Sequence, residues 1–184
     1  MRHSALGLAL TLSLMASAAH AQLVNGDTIT IEEFDATNIS PSNPPTPLMS
    51  FNYVAGQAPI NLTYDNIVYA ELSSNNNVIT VDYAQAFSLA PCAQGTSCFE
   101  GAYFTVAGKS VSASSLVSTN IAGLTTAKVG AQSGGAWVNL QGLSVPVGSN
   151  FQIAVTAVPE PAFIALFPAG LGLVVLAVRR RRTR

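Results

Sequence analysis

The chain has 184 residues, nearly half of them apolar, and a formal net charge of −1. Both totals hide an asymmetry. All six arginines and both histidines sit in two terminal segments, and between Gln22 and Val158 only Lys109 and Lys128 oppose eight carboxylates, a charge of −6 over 137 residues. That balance excludes nucleic-acid binding, which needs Lys and Arg at the phosphates. The missing histidine excludes Ser-His-Asp and Cys-His triads, a histidine general base, and histidine-ligated zinc or copper.

Residues 1–21 open with a basic Arg2, continue through an apolar run from Ala5 to Leu14, and end in Ala19-His20-Ala21. This charged, apolar, small-x-small order predicts a cleavable secretory signal, with Gln22 as the new N-terminus.

Residues 22–157 read as one domain, long enough to bury a core. Ile29 and Ile31 share one face of a short stretch. Ile60, Leu62 and Tyr64 alternate with Asn61 and Thr63, and Ile79, Val81 and Tyr83 with Thr80 and Asp82. Phe104 and Val106 flank Thr105, and Phe151, Ile153 and Val155 show the same alternation. Period two over five to seven residues predicts half-buried strands. Turn signals separate them at Asn25-Gly26-Asp27, Ser73 to Asn77, Gly134-Gly135 and Gly148-Ser149-Asn150. Asp65-Asn66, between Tyr64 and Ile67, predicts a two-residue hairpin loop that lacks the usual glycine. Ser40 to Pro47 carries four of the ten prolines and reads as an irregular connection. The pattern implies an all-β ectodomain, a single antiparallel β-sandwich or jelly roll.

Cys92 and Cys98 are the only cysteines. In an exported chain two cysteines this close predict a disulfide, whose short loop limits its stabilisation to roughly 2 kcal/mol. No glycine-rich phosphate loop with a following lysine is present. The remaining catalytic route is a carboxylate pair, as in glycosidases. The acids Asp27, Glu32, Glu33, Asp35, Asp65, Glu71, Asp82 and Glu100 scatter through strand-like stretches, and no spacing singles out a pair. Nor does an Asp-x-Asp spacing suggest calcium. The expectation is a non-enzymatic domain without metal or cofactor.

One stretch points to a surface. From Gly135 to Gly142, Val138 and Leu140 alternate with Trp137, Asn139 and Gln141. If the aliphatic pair faces the core, Trp137 stands outward beside two amides. Such a face can cover the apolar side of a sugar ring and bond its hydroxyls. Against this, the sole tryptophan of a small sandwich is usually buried.

The tail begins with Val158-Pro159-Glu160-Pro161-Ala162. Residues 162–178 carry no charge and would span about 25 Å as a helix, the short end of what crosses a bilayer. A basic stop comes next, at Arg179, Arg180, Arg181, Arg182 and Arg184, which favours a cytoplasmic C-terminus.

The proline motif, apolar helix and arginine run, in this order, resemble the PEP-CTERM sorting signal of exopolysaccharide-producing Gram-negative bacteria. The resemblance covers 27 of the 184 residues, 158–184. It implies that an exosortase, a membrane-embedded cysteine protease, recognises Pro159-Glu160-Pro161, removes the helix, and sends the protein from the inner membrane to the cell surface or biofilm matrix. The two prolines suit recognition, since they hold the segment stiff and extended. The competing expectation is a rigid spacer in a permanently anchored protein. The function expected is therefore a non-catalytic envelope or matrix component. A carbohydrate-binding module for the cell's own exopolysaccharide and a carboxylate glycosidase are the alternatives.

Overall fold

A computed structural model describes residues 21–37, 47–91 and 99–159. The expected signal sequence up to His20, the loop residues 38–46, Cys92 and Cys98 with their expected disulfide, and the tail from Glu160 onward, including the predicted membrane helix, lie outside the described residues.

The described residues are all-β, as the alternation predicts. The strands are β1 (Ala21–Gln22), β2 (Thr28–Thr37), β3 (Met49–Val54), β4 (Ile60–Tyr64), β5 (Ile67–Asn75), β6 (Val78–Tyr83), β7 (Phe87–Ser88), β8 (Phe99–Val106), β9 (Lys109–Thr119), β10 (Val129–Gln132), β11 (Gly135–Asn139), β12 (Ser144–Val145) and β13 (Asn150–Pro159), with one 3-10 turn at Thr126–Lys128. Eleven of them form one continuous antiparallel sheet, in the order β10-β11-β8-β9-β13-β6-β5-β4. Strand β2 adds to β8 and β3 to β2, β1 pairs with the end of β13, and β7 with β12 makes a small separate ladder. The large sheet curls until it is nearly closed. At one seam the Val111 amide donates to the Gly134 carbonyl at 2.8 Å, tying β9 to the β10–β11 hairpin.

The curl arises from the residue pattern. Period-two apolar positions from every wall converge inside: Ile29 and Ile31 of β2, Ile79 and Val81 of β6, Ala102 and Phe104 of β8, Val138 of β11, and Phe151 and Ile153 of β13 are all fully buried. Phe104 and Phe151 meet edge to face at 6.3 Å, which joins β8 to β13 through the core. The Asp65–Asn66 hairpin forms as expected, with Tyr64 paired to Ile67. Both loop residues take the left-handed conformation, φ 48° and 63°. This is the loop whose twist matches that of the flanking strands, and Asp and Asn tolerate it without glycine.

Candidate functional site

Two places bring chemistry-bearing side chains together: an outer aromatic face and an interior pocket at one end of the sheet.

The outer face lies on β8, β11 and β10. Val138 and Leu140 are buried, so Trp137 points away from the core, as its alternation with them predicts. It is half-buried all the same. Trp137 sits opposite Tyr103 on β8 and Gly130 on β10. Its indole lies over Gly130, where an added Cβ would come within 2.6 Å of the ring. Tyr103 crosses Gly135 in the same manner and donates its hydroxyl to the Gln132 carbonyl at 2.8 Å. Phe99 meets Trp137 edge-on at 6.4 Å and Phe34 at 6.0 Å, completing an aromatic row.

The two amides differ from expectation. Asn139 closes β11 beside Trp137, but Gln141 is not on the strand; it falls in the next turn. Asn139 Oδ1 accepts from the Gln141 backbone amide at 3.0 Å, an Asx-type turn that ends the strand. Lys128 donates to the Gln141 carbonyl at 2.8 Å. The local hydrogen bonding of Asn139 therefore ends the pleat before position 141 can continue it.

No sequence spacing singles out a pair of acids, yet Glu33 and Glu100 line one cavity of about 320 Å³. The physical cause is strand register. Glu33 continues the inward phase of Ile29 and Ile31 on β2. Glu100 precedes Ala102 and Phe104 in the inward phase of β8. Glu33 pairs with Ala102, so the two glutamates are diagonal neighbours on adjacent strands. Tyr83, the last inward residue of β6, and Leu140, just beyond β11, reach the same end. They are 2% and 1% exposed, while Leu48 and Tyr64 at the rim are 52% and 46% exposed, so the cavity runs from an open mouth to a buried floor.

Part of the floor is polar but lacks partners. Glu33 Oε1 and the hydroxyls of Tyr69 and Tyr83 are cut off from solvent and have no hydrogen-bond partner. Burial holds the Glu33 carboxyl up at about 8 instead of its ordinary 4.5. Burial also raises Tyr69 and Tyr83, and the nearby Glu33 charge adds to both shifts. Among the described residues no three Asp, Glu, His or Cys side chains gather as a metal site would require. Comparison with protein-family models, with curated proteins and with solved structures finds no match for this chain.

Proposed function

We propose that this chain is an exported, non-catalytic component of the cell envelope or extracellular matrix, sorted by its PEP-CTERM-like tail and processed by an exosortase-like membrane protease. The observation that carries the reading is where the buried core lies along the chain. Strand β13 pairs with β9 as far as Val158 opposite Ser110 and Pro159 opposite Lys109. The buried core among the described residues runs from Leu23 to Ala157, all of it N-terminal to the Pro159-Glu160-Pro161 motif. The mass of the surface form, compared between strains with and without the protease, tests this. The expected form starts at Gln22 and ends near residue 160. A form that retains Arg184 in both strains would leave the permanent anchor as the reading.

Within the ectodomain the sheet works as two facing layers, sandwich-like: β3-β2-β8-β11-β10 on one side and β9-β13-β6-β5-β4 on the other. The first layer presents the aromatic row to the producer's own exopolysaccharide, with Trp137 as the stacking surface. Trp137→Ala should weaken retention on that polysaccharide by about tenfold while lowering stability by only about 1–2 kcal/mol, because the ring is half-buried over a glycine. A loss of roughly 3–5 kcal/mol with unchanged binding would make Trp137 a packing residue.

A second reading rests on Glu33 and Glu100. A carboxyl held protonated to about pH 8 beside another carboxyl is the pairing a glycosidase uses for its acid and its nucleophile or base. Turnover of the exopolysaccharide that is abolished by Glu100→Gln would establish it.

A further inference from the structure

We propose that the pocket between β2, β6 and β8 binds a compact organic ammonium ion, with its apolar body against the aromatic and aliphatic wall and its N–H groups on Glu33 and Tyr83. This inference is independent of both readings above, since it needs neither the outer face nor turnover.

The charge of the lining comes first. Two carboxyl groups line the cavity and no lysine or arginine among the described residues does. The ectodomain has only two lysines, and both are engaged elsewhere: Lys109 is paired with Asp27, and Lys128 bonds the Gln141 carbonyl. An anionic guest would find no counter-charge among the described residues. The unfilled bonding capacity comes next. Tyr83 is almost wholly buried with a hydroxyl that meets no partner, and on the half-buried side chains of Glu33 and Tyr69 the Oε1 atom and the hydroxyl are likewise shielded from solvent and without a partner. Left so, each such atom costs free energy. An ammonium supplies three donors and needs no acceptor in return, which fits a floor rich in acceptors. The walls add a third argument. Tyr69 and Phe87 line the cavity as rings partly buried against the core, and aromatic faces attract cations most strongly where water is excluded. About 320 Å³ lies at the lower end of small-molecule sites, roughly 300–1,000 Å³, which suits one ring or a short alkyl chain.

Binding moves a proton. Without a guest, burial keeps Glu33 neutral near pH 7. An ammonium beside it favours the carboxylate, so the Glu33 proton passes to solvent as the ion pair forms. Tyr64, Tyr69, Tyr83 and Glu100 are the other titratable groups lining the cavity. Tyr69 and Tyr83, pushed upward by burial, stay neutral through this range.

Three probes of one shape test the proposal by calorimetry on the purified full-length protein near pH 7: 2-phenylethylamine, 2-phenylethanol and 3-phenylpropanoate. The amine should bind about tenfold more tightly than the alcohol, and the carboxylate should show no saturable binding. The heat of amine binding should change with the buffer's ionisation enthalpy in the sense of proton release. Glu33→Gln should keep the fold, reduce the preference for amine over alcohol to about threefold or less, and abolish proton release. The proposal is overturned if the alcohol or the carboxylate binds as well as the amine. It is equally overturned if no probe saturates up to about 10 mM, or if the preference survives Glu33→Gln.

Discussion

Glu33→Gln is expected to make the protein more stable than the parent at alkaline pH and to leave it nearly unchanged near pH 4. The Glu33 carboxyl sits at about 8 in the folded chain against an ordinary 4.5, because burial disfavours its charged form. Between those two values the folded state keeps a proton that the unfolded state has given up. Unfolding then releases a proton, and stability falls as pH rises, by at most about 1.4 kcal/mol per pH unit. The contribution is whole below the unfolded value, fades from about pH 4.5 to about 8, and is gone above that. The accumulated loss is roughly 4–5 kcal/mol, a large share of a domain's usual 5–15 kcal/mol. Gln removes the ionisation and should flatten this part of the curve. Urea melts of both proteins from about pH 4 to pH 9 measure the effect. Parallel curves would show that Glu33 ionises freely in the folded state.

The strands with large apolar residues at every second position were legible before the fold was known. In β6 and β13 each inward position is Ile, Val, Tyr, Phe or Ala, and each is buried as the alternation requires. Strand β9 was not legible. Its sequence, Lys109 to Thr119, is largely Ser, Thr and Ala, and only Val111 is buried. It is a strand because β13 supplies backbone partners along its whole length, with two register shifts that adjust its twist. Pairing decides such an element, and side-chain burial leaves no periodic trace. The outer face was half legible. The phase of Val138 and Leu140 turned Trp137 outward, while the turn made by Asn139 removed Gln141 from the strand. The pocket was hidden for a different reason. Glu33 and Glu100 are far apart in sequence, and each looks like a solvated residue. Their shared property is phase, because each occupies the next inward position beside buried residues of its strand. A polar residue in the inward phase at a strand end is the signal that would have found them, and only the pairing of Glu33 with Ala102 joins the two signals into one site.

Gly101→Ala tests whether the wall of that site can yield. Gly101 lies between Glu100 and Ala102, opposite Phe34 on β2 and Asn139 on β11. Its φ is +147°, a conformation that other residues rarely adopt. A Cβ there would stand 2.2 Å from the Val138 carbonyl oxygen and 3.1 Å from the Leu140 amide nitrogen. Both atoms are backbone, so no side chain can swing aside to make room. The Leu140 amide also donates to the Glu100 carbonyl at 2.8 Å. A methyl group must therefore push β11 off β8, break that bond, and draw Leu140 and Glu100 apart at the pocket floor. The expected cost is about 3 kcal/mol or more, combining backbone strain with overpacking. Gly108→Ala is the control. Gly108, in the β8–β9 turn, also has positive φ, 68°, but nothing lies within 4 Å of an added Cβ, so the left-handed penalty alone applies, about 1 kcal/mol. Denaturant midpoints of the two variants separate close approach from backbone conformation. If Gly101→Ala costs no more than Gly108→Ala, then β11 moves freely against β8. The pocket would then adapt to guests of many shapes, and its preference would rest on charge alone.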